Sequence, residues 1–297
     1  MFSIENLSKK MAVQNLDKAN QIFVRPKNLP LAQNNVAIKA RHLSLKFGQK
    51  TILNNINLDI HLGCVTALLG PNGAGKSSLL KLLCGEMNLP NSSAEPTPTL
   101  HYFGKPAQQW DKTLLARHLG ILPQHSTLSF PFLVKEVVEL GGLPLAVSKE
   151  ELQNITQEKM CQVGIDKLAE HLYPQLSGGE KQRVHLARVL TQLHFADAHR
   201  IFMLDEPTSA LDLSYQHKTL QLAQQMAQTG TAVVIVLHDL NLAAQYADRI
   251  LLLHEGDIVA DGNAWQTLSP TNIEQVYGQQ TIISTHPKYG FPVIMPK

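Results

Sequence analysis

Short uninterrupted apolar runs alternate along this chain with stretches whose apolar positions recur every three or four residues. The runs Val65, Thr66, Ala67, Leu68, Leu69, then Ile201, Phe202, Met203, Leu204, and later Ala232, Val233, Val234, Ile235, Val236, Leu237 predict buried strands. A Leu-rich helix is predicted from Ser77 to a stop near Gly85, and another holds helical spacing from Leu213 until Gly230. Strand and helix in alternation predict an α/β fold. Ahead of these, residues 36–45 read as a strand, and Ile56, Leu58, Ile60 and Leu62 alternate across a second, giving a twisted antiparallel edge.

The period changes in the middle of the chain. Leu114, Leu115, Ala116 and Leu119 suggest a short helix, and residues 120–125 a strand that runs into a loop with Gln124 at its end. Val134, Val137, Val138 and Leu140 then repeat at three and four, with a stop at Gly141 and Gly142. Ser148 and Glu151 have the spacing of a capping box, opening a helix that ends near Gly164. The block of about 126–175 is therefore expected to be an inserted helical subdomain able to move as a unit. Residues 249–253 and 258–260 flank a hairpin turn, and two short β-like pieces, Ile282-Ile283 and 292–294, close the chain with no chemistry of their own. Residues 88–98 read as a surface loop. Residues 1–36 are polar and aperiodic, a flexible extension ahead of a domain at 37–297.

Composition narrows the classes without choosing among them. A chain of 297 residues that is 44% hydrophobic can bury a full core. The net charge is +2 and the basic residues are dispersed, so no nucleic-acid partner is expected. No apolar run reaches the 18 or so residues of a membrane span, and residues 1–36 lack the apolar centre of a secretory signal, so cytoplasmic residence is expected. Cys64, Cys84 and Cys161 are far apart and without metal-ligand spacing, and read as reduced core thiols.

Five short segments carry candidate chemistry. Gly70, Pro71, Asn72, Gly73, Ala74, Gly75, Lys76, Ser77 and Ser78 form a phosphate-binding loop between a strand and a helix. Its glycines let successive N–H groups face one anion, and the helix start adds its positive end. Lys76 supplies a point charge for the β- and γ-phosphates of a nucleotide, and the Ser77 hydroxyl can ligate Mg²⁺. Ser177, Gly178 and Gly179 open a second helix that could receive a phosphate, although the commoner use of such residues is a plain N-cap. Asp205 and Glu206 end a buried strand, where α/β sheets hold ligands. Asp205 suits a Mg²⁺-holding acid and Glu206 a base that polarises an attacking water. His238 ends the next strand and would lie beside the γ-phosphate if the two strands are neighbours. Phe47, about two dozen positions before Gly70, could stack on an adenine ring or pack in the core.

In this order the segments resemble the ATP-binding subunit of an ABC transporter, over roughly residues 37–297. Residues 70–77 match the Walker A loop, 201–205 the Walker B strand, 176–180 the family's signature sequence and 209–212 the D-loop. Gln124 matches the Q-loop glutamine, His238 the switch histidine and Phe47 the adenine-stacking aromatic. Glu180 stands where the family usually has Gln. The resemblance implies a P-loop NTPase core with a mixed sheet, an antiparallel β-subdomain and an inserted α-helical subdomain. It implies ATP and Mg²⁺ as cofactors, with Ser77, Gln124 and Asp205 at the metal and Asp212 among the nucleotide-site residues. It also implies a head-to-tail homodimer in which Ser177 and Gly179 of one copy face the γ-phosphate held by Lys76 of the other. Two permease copies would dock against the Gln124 loop and residues 128–140.

Within the family, residues 130–134, 236–244, and His286, Pro287, Gly290, Phe291 and Pro292 are most similar to the ATPases of bacterial haem importers. That implies a peripheral protein on the cytoplasmic face of the inner membrane, served indirectly by a periplasmic haem-binding protein. Importers of ferric siderophores and cobalamin share nearly all these features and remain the alternative. A soluble ABC ATPase of translation or DNA repair is disfavoured, because neither a second nucleotide domain nor a long coiled-coil insertion is visible. A simple P-loop kinase or GTPase has no use for residues 176–180.

Overall fold

The computed structural model describes residues 35–89, 96–124, 128, 130–196 and 199–297. The expected extension, up to residue 34, and positions 90–95 of the expected surface loop lie outside the described residues, as do 125–127 and 129 next to Gln124.

The chain enters on two long strands, β1 (Val36–Phe47) and β2 (Lys50–His61), joined by a tight turn at Gly48. Both are longer than the alternating residues alone indicate. The phosphate-loop strand β3 (Val65–Leu69) leads to α1 (Lys76–Leu83). Next come β4 (Thr99–Tyr102) and β5 (Lys105–Pro106), which no sequence period announces, then α2 (Lys112–His118) and β6 (Leu119–Leu122). The helical region follows as α3 (Val134–Glu139), α4 (Lys149–Val163) and α5 (Gly178–Gln192). Of the capping box at Ser148, the serine half is made, its hydroxyl accepting from the Glu151 N–H at 3.1 Å. Two strand–helix units come next: β7 (Ile201–Asp205) with α6 (Leu213–Gln228), and β8 (Ala232–Val236) with α7 (Leu240–Tyr246). A hairpin of β9 (Arg249–His254) and β10 (Asp257–Gly262), two short helices, α8 (Ala264–Thr267) and α9 (Pro270–Tyr277), and a terminal hairpin of β11 (Thr281–Thr285) and β12 (Pro292–Pro296) complete it.

The main sheet has six strands in the order β10-β9-β3-β8-β7-β6, parallel from β9 to β6 with β10 antiparallel at its edge. A separate antiparallel sheet runs β2-β1-β4-β5. The fold is thus a mixed sheet with an antiparallel β-sheet beside it, as the resemblance implies. The uninterrupted apolar runs have a direct cause: β3, β7 and β8 are buried along their whole length, because both faces of the sheet are covered. Val65, Ala67, Leu69, Phe202, Leu204, Val233 and Ile235 join the core shared with α3 to α7. Leu68, Ile201, Met203, Val234 and Val236 join the core shared with α1 and the antiparallel sheet.

The helical segment stops at Gly141 and Gly142 as expected, and the two glycines also serve packing. Both are buried in a 3₁₀ turn after α3, and a Cβ on Gly141 would lie 2.1 Å from the Arg188 carbonyl oxygen of α5. Glycine is required there for close backbone approach, which binds α3 to α5. Gly141→Ala is therefore expected to lower the urea midpoint, with a loss of about 1–3 kcal/mol from overpacking and an unchanged m-value. The reading of three core thiols also needs correction: Cys64 is buried, Cys84 half-buried and Cys161 exposed. Cys161 lies on the outward side of α4, where the apolar period does not reach. Among the described residues no helix is long and apolar enough to cross a membrane.

Candidate active site

Four neighbouring parallel strands each deliver an expected functional residue at the carboxyl end. β3 ends in the Gly70 loop, β8 is followed by His238, β7 ends in Asp205 and Glu206, and β6 is followed two residues later by Gln124. The condition set for His238 is met, since β8 pairs with β7 along its length. This edge is where open α/β sheets hold ligands, because the loops there spread and leave a crevice.

The loop itself is held tightly on its inner side. Gly70 has φ +146°, and a Cβ there would meet the Leu253 carbonyl oxygen at 2.2 Å, so only glycine fits against β9. Pro71, Asn72 and Gly73 form the outer lip, while Ala74 and Gly75 are buried. Gly75 caps α1 without a side chain, which leaves the N–H groups of the first turn free of any side-chain acceptor, the arrangement that favours an anion. Lys76 is only 6% exposed, and its ammonium donates to the Gly70 carbonyl at 2.7 Å and the Pro71 carbonyl at 3.0 Å. Burial pushes the Lys76 pKa down, against the pull of the Glu206 and Asp205 charges. Ser77 and Ser78 are half-buried on the first turn.

The Ser77 hydroxyl donates to Asp205 Oδ1 at 3.1 Å, joining the loop to the end of β7. Burial raises the Asp205 pKa; the Ser77 hydrogen bond opposes this and the Glu206 charge adds to it. Glu206 is gripped at both carboxylate oxygens, with His238 Nε2 2.6 Å from Oε1 and the Gln124 amide donating to Oε2 at 2.5 Å. Its backbone sits at φ +49°, a left-handed conformation uncommon outside glycine and concentrated at functional sites. Behind it, the Ser209 hydroxyl donates to the Glu206 carbonyl at 3.1 Å and the Gln182 amide to the same oxygen at 3.5 Å. Gln182 carries no sequence signal for this position: helical spacing on α5 does not tell which residue meets the end of β7.

Ser177, Gly178 and Gly179 stand at the start of α5. Ser177 caps α5 in a full capping box: its hydroxyl donates to Glu180 Oε2 at 2.6 Å, its N–H to the same oxygen at 2.8 Å, and the Glu180 N–H returns to Ser177 Oγ at 3.4 Å. The Ser177 hydroxyl holds the Glu180 carboxyl below its ordinary range. Among the described residues no hydrogen bond joins 177–179 to 70–78; Gly179 packs instead on the Ala210 carbonyl, which a Cβ would approach to 3.1 Å. Asp212 caps α6 by accepting from the Tyr215 N–H at 3.0 Å. Phe47 ends β1 with 57% exposure, which rules out the core-packed alternative for that ring.

The ABC transporter family profile matches residues 53–209, from β2 through the end of β7 and the turn beyond it. A hemin import ATP-binding protein, HmuV, of Photobacterium profundum is 58% identical over 268 residues, covering 90% of this chain and 94% of that one. The protein of the same name from Vibrio cholerae is 55% identical over 262 residues, covering 88% and 98%. Among solved structures, CbiO1 of Clostridium perfringens, part of the ABC transporter complex CbiONQ, aligns with a TM-score of 0.66 at 25% identity, over 81% of this chain and 94% of that one. A sheet edge that gathers loop, carboxylates and histidine, and a sequence that matches along nearly the full length of such relatives, have one explanation: the chain belongs to the ABC transporter family.

Proposed function

We propose that this chain binds and hydrolyses ATP as the energising subunit of a haem importer, on the cytoplasmic face of a bacterial inner membrane. The observation that carries the hydrolytic part is the Glu206 carboxylate, held between Gln124 and His238 at the mouth of the loop that contains Lys76. Support for the haem part comes from the relatives in Photobacterium profundum and Vibrio cholerae, both named as hemin import ATP-binding proteins and matched along 94% and 98% of their length.

In this reading the Gly70 loop and Lys76 bind the β- and γ-phosphates, and Lys76 exchanges its two carbonyl partners for phosphate oxygens. Phe47, already exposed at the end of β1, stacks on the adenine. Ser77 and Asp205 are oxygen donors brought together at the loop, which fits Mg²⁺, an ion usually held by one or two protein oxygens together with the substrate phosphates. The metal supplies neutralisation of phosphate charge there, with Gln124 as the third expected residue near it. Glu206 takes the proton of the attacking water. Each of its oxygens has one partner, Gln124 or His238, and keeps a second acceptor site for the attacking water. A γ-phosphate beside His238 would give the imidazole another acceptor and loosen its hold on Oε1.

The half-site is completed by a second copy. Ser177, Gly178 and Gly179 are surface residues unconnected to their own loop, which suits a head-to-tail homodimer in which they face the partner copy's γ-phosphate, with Asp212 beside the junction. For that, the Ser177 hydroxyl must turn from Glu180 to the phosphate. Two permease copies dock near Gln124 and the exposed Phe130, which is 69% exposed and lies against Phe132 with ring centroids 5.5 Å apart. Gln124 then reports the nucleotide state to that surface. The periplasmic haem-binding protein acts through the permease alone.

The test is reconstitution with the permease in vesicles, comparing ATP hydrolysis stimulated by haem-loaded, siderophore-loaded and cobalamin-loaded binding proteins. The expected result is stimulation by the haem carrier. Stimulation by a siderophore or cobalamin carrier alone would overturn the haem assignment and leave the ATPase assignment standing.

A further inference from the structure

The terminal hairpin of β11 and β12 forms a two-stranded sheet of its own, a unit that is marginal in water unless something supports it. Its support is the start of α7. Asn241, the second residue of that helix, donates through Nδ2 to the Ile294 carbonyl at 3.1 Å and accepts from the Ile294 N–H through Oδ1 at 2.8 Å. A side-chain amide thus pairs with both backbone groups of a strand residue, as a further strand would. The hairpin is fixed elsewhere too. Ile294 and Phe291 are buried in the core that holds Ala243 and Ala244 of α7, His286 stacks on Phe291 with centroids 4.6 Å apart, and the Trp265 indole donates to the Gly290 carbonyl at 3.2 Å.

Asn241 stands three residues after His238. Between them Asp239 caps α7, accepting from the Asn241 N–H at 2.8 Å and the Leu242 N–H at 3.0 Å. The His238 side chain is 44% exposed and is directed at Glu206. Little side-chain packing therefore holds the ring, and its place depends on the backbone that joins β8 to α7.

We propose that Asn241 is a positioning residue for hydrolysis: by pairing with Ile294 it anchors the start of α7 to the C-terminal hairpin and so fixes His238 against Glu206. This rests on the ATPase reading above. The hairpin is then a brace for the switch histidine, and the short tail gains a function in the reaction without touching nucleotide.

Full-length chain with its permease is assayed for steady-state and single-turnover ATP hydrolysis, as wild type, His238→Ala, Asn241→Ala, Asn241→Asp and the Asn241→Ala/His238→Ala double variant. Asn241→Ala should lower kcat by about 10- to 100-fold, the effect of a small misplacement of a reacting group. Its KM for ATP should stay within about twofold, because the phosphate loop is untouched. In the His238→Ala background the same change should cost nothing further. Asn241→Asp, which keeps the acceptor for the Ile294 N–H and loses the donor, should fall between wild type and alanine. Wild-type kcat in Asn241→Ala, or an equal loss with His238 already removed, overturns the proposal. If the alanine variant does not fold, Asn241→Asp carries the test alone, and an unchanged kcat there overturns it as well. A wild-type chain that hydrolyses no ATP fails the functional reading, whereas an active wild type with an inert Asn241→Ala fails this inference only.

Discussion

Glu206→Gln should bind ATP with near-wild-type affinity while steady-state phosphate release falls by about 10²- to 10⁴-fold, the usual contribution of a positioned base. The substitution removes the charge and the proton-accepting oxygen but hardly changes shape. Glutamine should follow the same left-handed backbone at φ +49°, and its amide oxygen can still accept from Gln124 or His238. The groups that hold the phosphates, Lys76 and the first turn of α1, are not altered. Loss of turnover with binding kept is therefore the specific expectation, read by phosphate release and by equilibrium nucleotide binding on one preparation. Steady-state hydrolysis at the wild-type rate would remove Glu206 from the role of base.

Lys76→Ala should act on the other parameter, weakening ATP binding by about 100-fold, since a charge-assisted hydrogen bond to phosphate contributes on the order of 1.5–3 kcal/mol. The lysine is 6% exposed, and its ammonium donates to two loop carbonyls. Removing it leaves the Gly70 and Pro71 carbonyls without that donor, so the nucleotide-free protein should also melt somewhat earlier. Lys76→Arg should not restore affinity, because the planar guanidinium cannot occupy the compact, buried place of an ammonium. ATP affinity equal to wild type in Lys76→Ala would show that the loop's backbone amides carry the phosphates alone.

In the proposed mechanism the two variants separate because binding and chemistry are carried by different strands. β3 and α1 carry the loop, while β7 and the segment after β8 carry Glu206 and His238. Where they meet, the Ser77 hydroxyl reaches Asp205 across 128 positions of sequence. That bond couples the end of β7 to the loop.

Much of this was legible beforehand, because the physics is local. A phosphate loop needs a strand before it, a helix after it and glycines between, and all three can be read from residues 65–85. Each carboxylate or histidine at a strand end is announced by the apolar run that precedes it. The N-caps Ser148 and Ser177 declare themselves by type and position, and the structure forms both of them. Local physics also explains what the sequence left out or misplaced. Gly141 and Gly142 look like a helix stop in one dimension, and only the approach of α5 shows that their lack of a side chain is used for packing. Cys161 reads as a core thiol by its type, and only the orientation of α4 places it outside.

The sequence by itself determined most of the strands, loops and helix starts in this chain, though not β4 and β5, and which chemistry each could carry. Only the tertiary structure decided their partners. Sheet order put β8 between β3 and β7, so that Glu206 is held by Gln124 from 82 positions upstream on one oxygen and by His238 on the other. It also placed Asn241 against Ile294, 53 positions away, in a tail read as having no chemistry of its own. Hydrophobic period and capping are set within a few residues. Long-range pairing is set by which faces of strands and helices must be buried together, and that is a property of the whole core.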